Sequence, residues 1–423
     1  MSELQDNQFQ DHQLPSTFNR LAWSNLAAQS AEQIALAAAP IVAVLLLGVG
    51  EGQTGLLQTA LTLPFILFAI PAGLLADRFS RRWLMTGSEA LRAAALLAIL
   101  LLIWLDGLTL PLLALLGFVA VCGTVAYSVA APALVPSLVS PNLLAAANAR
   151  IELARTVAFA GGPALGGVLV GWVGAAPAFG FAAALSVMAV VLLSGIPEPA
   201  REPAARRHPM QDIKEGADFV LYHPLLRPVF ITQFVFGALW FVILAVFVPY
   251  AVRQFGVSAS GIGTILAMYG VGMVVGALLA TRVMKRLQFG TVIALGPVTG
   301  FVAAVVIALT TIIPSPLLAG LGFFLLGVGP ILWVISTATL RQSVTPPRLL
   351  GRVSAINTLG YGARPVGAGL GAIVGGLYGA ETCLYLAVAI FAAQALVILL
   401  SPAVSLARQP GMVSEPAKVL RAC

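Results

Sequence analysis

A carboxylate in the middle of an apolar run is the first group in this chain that could do chemistry. Asn25, Gln29, Glu32 and Gln33 stand at steps of i, i+4, i+7 and i+8, so a helix gathers them on one face of an otherwise apolar stretch. Inside a bilayer a charge is costly unless it meets water or a partner, so such a face is expected to line a cavity. Glu32 lies near the middle of its run, where it could take up and release a proton, contact a cation, or form a fixed salt bridge. A second stripe, Asn357, Tyr361 and Arg364, repeats the steps i, i+4 and i+7. Arg364 cannot shed its charge and must meet an acid, a carbonyl or an anionic ligand. Glu89 with Arg92, and Glu152 with Arg155, are spaced three apart and read as local helical pairs with a structural role. Tyr127, Trp240, Tyr269 and Trp333 could stack on an amphiphilic substrate or simply pack.

No enzyme constellation accompanies these groups. A Gly-rich phosphate loop with its Lys is missing, which argues against direct ATP drive, and no nucleophile stands with a His. Cys122, Cys383 and Cys423 lack metal-ligand spacing, and His12, His208 and His223 fall in polar segments. Neither a metal nor a cofactor is expected. The net charge of +7 does not point to nucleic acid, because the basic residues sit in short loops between apolar runs. With 59% hydrophobic and 9% charged residues, and a mean hydropathy of +0.98, the chain reads as an integral membrane protein.

Twelve apolar segments are each long enough to cross a bilayer, at 19–47, 53–76, 83–105, 108–135, 148–171, 175–195, 227–252, 258–283, 289–312, 315–341, 350–378 and 380–402. The polar start differs from a cleaved signal peptide and reads as a tail. The expected order is a tail (1–18), a six-helix half (19–196), a linker (197–226), a second six-helix half (227–402) and a second tail (403–423). Lys and Arg concentrate in the even-numbered loops, which places both termini in the cytoplasm.

The halves share a plan. Between the second and third segments runs Gly73-Leu74-Leu75-Ala76-Asp77-Arg78-Phe79-Ser80-Arg81-Arg82, and Arg282, Lys285 and Arg286 recur 204 residues after Arg78, Arg81 and Arg82. Gly73 permits a tight turn, Asp77 can accept hydrogen bonds from a helix N-terminus, and the arginines stay in water or among headgroups. Gln29 and Gln233 are also 204 apart. The fifth segment holds Gly161-Gly162-Pro163-Ala164-Leu165-Gly166-Gly167, where Pro kinks and the small residues admit a neighbouring helix.

The repeated loop resembles the signature of the major facilitator superfamily of secondary transporters, with Ser80 where the family has Gly and Thr281 where the first copy has Asp77. The Gly162-Pro163 segment looks like the fifth-helix motif of exporters in that superfamily, although Ala158 replaces a Gly upstream. Together with Pro132-Ala133-Leu134-Val135-Pro136 and Leu221-Tyr222-His223-Pro224, the order of features over about residues 17–402 is similar to the third drug:proton antiporter group, which includes macrolide exporters and the enterobactin exporter. That resemblance implies a twelve-helix fold, a bacterial inner-membrane location, the proton gradient as energy source and alternating access. The expected partners are the lipid bilayer and a small-molecule substrate, with the protein a monomer. An amphiphilic drug would use Glu32 and the aromatic residues, whereas a siderophore or other organic anion would favour Arg364; nutrient uptake is a further reading.

Overall fold

The computed structural model describes residues 14–68, 71–72, 75, 79–140, 143–197, 209–346 and 349–410. Their regular structure is helical, without a strand among the described residues. In chain order the helices are α1 (Ser16–Leu45), α2 (Glu51–Thr62), α3 (Pro64–Leu67), α4 (Arg81–Trp104), α5 (Leu110–Leu134), α6 (Leu144–Trp172), α7 (Ala175–Ser194), α8 (Pro209–Tyr222), α9 (Leu226–Phe255), α10 (Ala259–Arg286), α11 (Phe289–Leu309), α12 (Pro316–Val344), α13 (Leu350–Leu359), α14 (Ala363–Tyr378) and α15 (Ala380–Leu399). Ten stretches within them are long and apolar enough to cross a membrane.

Local chemistry sets several of the ends. Ser80 caps α4 by accepting the Trp83 N–H at 3.2 Å. That is a reason for Ser at a position where the resembled loop has Gly, because Ser is among the strongest N-caps. Ser315 caps α12 in the same way, with Pro316 opening the helix where its missing N–H is not needed. Gly174 and Gly379, 205 residues apart, adopt φ of +101° and +84° immediately before α7 and α15. Only glycine enters that region without strain, so the two tight helix–helix connections share one device.

One expected span lies partly outside the described residues, and two expectations differ from the structure. The span expected at 53–76 begins as α2 and the short α3 and then reaches residues outside the described set. That expected at 350–378 is divided by a 3-10 turn at Gly360–Gly362, so α13 and α14 are separate helices. The polar linker also contains a helix, α8, whose Gly216, Ala217 and Val220 turn inward against α13. Beyond α15 the chain folds back: Leu406 O accepts the Gly290 N–H at 2.8 Å, and Gln409 Nε2 donates to Ser343 Oγ at 3.0 Å.

The chain divides into two compact units. One holds α1 to α7 together with Val248–Ala267, and the other holds α8, α9 as far as Phe247, and the described residues from Met268 onward. In the first, α1 packs along α6 and α7, and α4 packs along α5 and α7. The α1–α6 seam is made by small residues: a Cβ on Gly162 would collide with Gln33, and one on Gly166 would lie 3.0 Å from Ile34 O and 3.2 Å from Ala37 Cβ. In the second unit, Gly367 meets Ala238, and a Cβ on Gly371 would lie 3.0 Å from Val242 O. Gly162 and Gly367, Gly166 and Gly371, Gln33 and Ala238, and Ala37 and Val242 are each 205 residues apart, so one seam is built twice.

Candidate functional site

Within the first unit, residues of α1, α2, α4, α5 and α7 line a partly open cavity of about 30 Å³. A space of that size holds about one or two waters. Its wall is apolar apart from Glu32, Arg92 and Thr124. The four polar residues of α1 therefore divide. Glu32 is half-buried on the cavity wall, whereas Asn25 is buried and donates Nδ2–H to Ile151 O of α6 at 3.3 Å. Gln33 lies buried in the seam under Gly162, and Gln29 is half-buried.

Beside Glu32 stands a cluster that local spacing alone does not reveal. Arg92 Nη1 donates to Glu89 Oε1 and Oε2 at 2.7 and 2.9 Å and to Ala28 O of α1 at 3.0 Å, and Nη2 donates to Thr124 Oγ1 of α5 at 2.6 Å. Glu89 is 0% exposed and Arg92 2%, so this ion pair belongs to the interior of the unit. Two charges in the middle of the apolar α4 were the available signal; their i, i+3 spacing accounts for one another but hides Thr124 and Ala28. The other pair differs. Arg155 Nε meets Glu152 Oε2 at 3.0 Å on an exposed part of α6, and its guanidinium stacks 5.5 Å from the Phe159 ring centroid.

Tyr127 is buried in a core cluster with Phe18, Leu21 and Met85, its hydroxyl 3.5 Å from Ser24 Oγ, and does not line the cavity. Gly73, Asp77 and Arg78 lie outside the described residues. From the same loop Arg82 donates Nη1–H to Ile196 O at 3.0 Å, and Arg20 of α1 does the same to Gly195 O at 3.0 Å. Two cations thereby sit at the C-terminal end of α7, where the helix dipole favours positive charge. Arg82 also stacks on Trp83 at 4.7 Å, while Arg81 is half-buried.

On its other face α6 meets the start of α10. Gly167 packs directly on Gly263 near Pro163 O, and a Cβ on Gly171 would lie 2.9 Å from Ser260 N. Glu51, in the first turn of α2, forms an ion pair with Arg253 in the last turn of α9.

In the second unit Asn357 and Arg341 line a smaller cavity, of about 20 Å³, with Val220, Leu226, Val229, Phe230 and Val353. Gln233 Nε2 donates to Asn357 O at 3.3 Å. Arg364 lies 5.8 Å over the Phe241 ring, close enough for a cation–π contact; the Tyr361 side chain lies outside the described set. Trp240 and Tyr269 stack at 4.2 Å between centroids, with Phe323 edge-on to Trp240 at 5.8 Å. Trp333 is buried against Gly296, its Nε1 without a hydrogen-bond partner among the described residues. Arg282, Lys285 and Arg286 are exposed at the end of α10. Glu215 of α8 pairs with Arg352 of α13. His223 Nδ1 accepts the Leu225 N–H at 3.2 Å, and burial pushes its imidazole below the usual histidine range.

The sequence profile of the Major Facilitator Superfamily matches residues 21–363. This chain belongs to that superfamily. Among its superfamily relatives, the uncharacterised MFS-type transporter y4rN of Sinorhizobium fredii is 28% identical over 251 residues, covering 57% of this chain and 60% of that protein. The enterobactin exporter EntS of Citrobacter koseri is 28% identical over 312 residues, 72% of each chain. Two solved structures share the fold. The nucleoside transporter NupG gives a TM-score of 0.71 at 14% identity, covering 91% of this chain and 98% of that one. A bacterial homologue of the iron transporter ferroportin, in an inward-facing state, gives 0.70 at 17% identity, covering 92% and 98%. A superfamily member with these relatives is a membrane transporter.

Proposed function

We propose that the protein is a proton-coupled exporter of an amphiphilic small molecule, a drug or other toxic compound, in a bacterial inner membrane. It works by alternating access as a monomer of twelve crossing segments in two six-helix halves, with both termini in the cytoplasm. The proton gradient supplies the energy and no cofactor takes part. The observation that carries this reading is Glu32, a carboxylate on a long apolar helix and on the wall of a water-sized cavity. A carboxylate there can gain and lose a proton as access to water changes. The likeness to an enterobactin exporter supports the outward direction. It also favours a second reading, export of a siderophore or other organic anion, to which Arg364 would contribute a permanent positive charge.

Proteoliposomes with an imposed pH gradient test both readings, with tetraphenylphosphonium as the cationic probe and a catecholate siderophore as the anionic one. Wild-type protein concentrates one of them against its gradient. Glu32→Gln abolishes that accumulation while exchange down the probe's own gradient continues; accumulation at the wild-type rate removes Glu32 from coupling. Arg364→Gln selectively loses the anion if the second reading holds.

A further inference from the structure

The Glu89–Arg92 pair has no charged counterpart at the corresponding positions of the second unit. Arg92 satisfies the carbonyl of Ala28 on α1. The carbonyl 204 residues later, Thr232 O on α9, is also met by a buried side chain, the neutral Gln394 amide of α15 at 2.8 Å. The positions 204 residues after Glu89 and Arg92 are Ile293 and Gly296, and there the side chain of Trp333 fills the space. The second unit thus meets a carbonyl of its own corresponding helix with an uncharged side chain. Buried ion pairs are weak stabilisers beside well-packed neutral groups of similar volume, so stability alone does not account for the charges.

Arg92 shares the cavity with Glu32, and Thr124, which anchors its second nitrogen, completes the polar part of the wall. We propose that Arg92 is a positioning residue for proton exchange at Glu32, joined to it through water in this cavity, and that Glu89 holds the arginine's charge when Glu32 is protonated. The charges balance at each step. With Glu32 ionised, two carboxylates face one guanidinium; when Glu32 takes a proton from water, Arg92 remains neutralised by Glu89 and no buried charge is left alone. The other ionisable groups on the surrounding elements are Arg20 of α1, Glu51 of α2, Arg81 and Arg82 of α4, Cys122 and Tyr127 of α5, and Arg150, Glu152 and Arg155 of α6, of which Glu152 and Arg155 pair with each other. This inference rests on Glu32 as the coupling residue.

The test needs no transported ligand. Purified protein in lipid is titrated with pH, and the carboxylic C=O band is followed by infrared difference spectroscopy; the Glu32 band is the one that Glu32→Gln removes. Glu89→Gln leaves Arg92 without its paired carboxylate on the cavity that Glu32 also lines, whereas Glu89→Gln with Arg92→Met removes the guanidinium as well. The two variants are expected to move the Glu32 midpoint in opposite directions, each by about one pH unit or more. If Glu89→Gln alone fails to fold, the double variant, which leaves no buried charge alone, still carries the test. Glu89→Asp keeps the wild-type midpoint. A double variant that folds and titrates with the wild-type midpoint overturns the proposal, and so does a shift of the same sign in both. If Glu32→Gln still accumulates the probe against its gradient, the coupling reading fails instead, whatever the midpoints do.

Discussion

Gly167→Ala places a methyl group where two backbones touch. Its Cβ would lie 2.9 Å from Ala259 O and 2.9 Å from Gly263 N, and closer still to Gly263 Cα. All three neighbours are backbone atoms of α10, so no side chain can rotate away and the helices must separate. Overpacking of this kind costs about 1–3 kcal/mol. The adjacent contact of Gly171 with Ser260 loosens with it. Gly161→Ala is the control, because a Cβ there meets nothing within 4 Å. It removes a helix-interior glycine and is expected to be neutral or to stabilise by up to about 1 kcal/mol. In the alternating-access cycle proposed above, Gly167→Ala is expected to disfavour the state in which this contact is made, by about 5- to 150-fold. Two measurements in lipid nanodiscs read this out: thermal unfolding, and maleimide labelling of Ser260→Cys in a background with Cys122, Cys383 and Cys423 replaced by Ser. Gly167→Ala should melt earlier and label faster. Equal melting and equal labelling in the Gly167 and Gly161 variants would refute the backbone-contact argument.

Acid sensitivity is expected at the start of α9. The folded protein keeps His223 neutral where the unfolded chain binds a proton, so this contribution is intact above the ordinary histidine value of about 6.5, is lost as pH falls through it, and stops declining below the lowered folded value. His223→Asn, whose carbonyl oxygen can accept the Leu225 N–H in place of Nδ1, should retain the neutral-pH melting temperature and blunt the acid loss; an unchanged acid slope counts against His223. At the Glu51–Arg253 pair, Glu51→Gln should cost no more than about 1 kcal/mol, because the pair is partly exposed. The exchanged pair Glu51→Arg with Arg253→Glu should not recover that loss, because each charge then sits at the unfavourable end of its helix. Full recovery in denaturant unfolding would show that the helix ends do not matter.

Apolar runs made the long helices legible, since length and hydropathy set them without reference to neighbours. The place of Glu32 on α1 was legible for the same reason: a charge in such a run must meet a cavity or a partner. What Asn25 and Gln33 do was not. Helical spacing put them on the Glu32 face, but packing against α6 buries both, one on the Ile151 carbonyl and one under Gly162. The Arg92 cluster was hidden because Ala28 and Thr124 lie 64 and 32 residues from it in sequence, and tertiary packing alone brings them together. The helix in the polar linker was missed because its buried face is narrow, and Gly216, the residue that lets α8 lie against the Arg352 backbone, reads in sequence as a breaker.

The doubled seam bears on how such a protein can diversify. At Gly162, Gly166, Gly367 and Gly371 an added methyl meets a neighbouring helix at contact distance or closer, so drift at these positions is confined by geometry whatever the cargo. On the cavity wall an added Cβ at Gly117 would meet only the Leu61 side chain, which can rotate away. New substrate ranges can therefore arise by exchanging wall residues while the glycines stay fixed, and lineages handling unrelated cargo would share the seam and little else. In a library randomised evenly along α6 and α14, survivors should retain glycine at those four sites far more often than at Gly161, which faces open space.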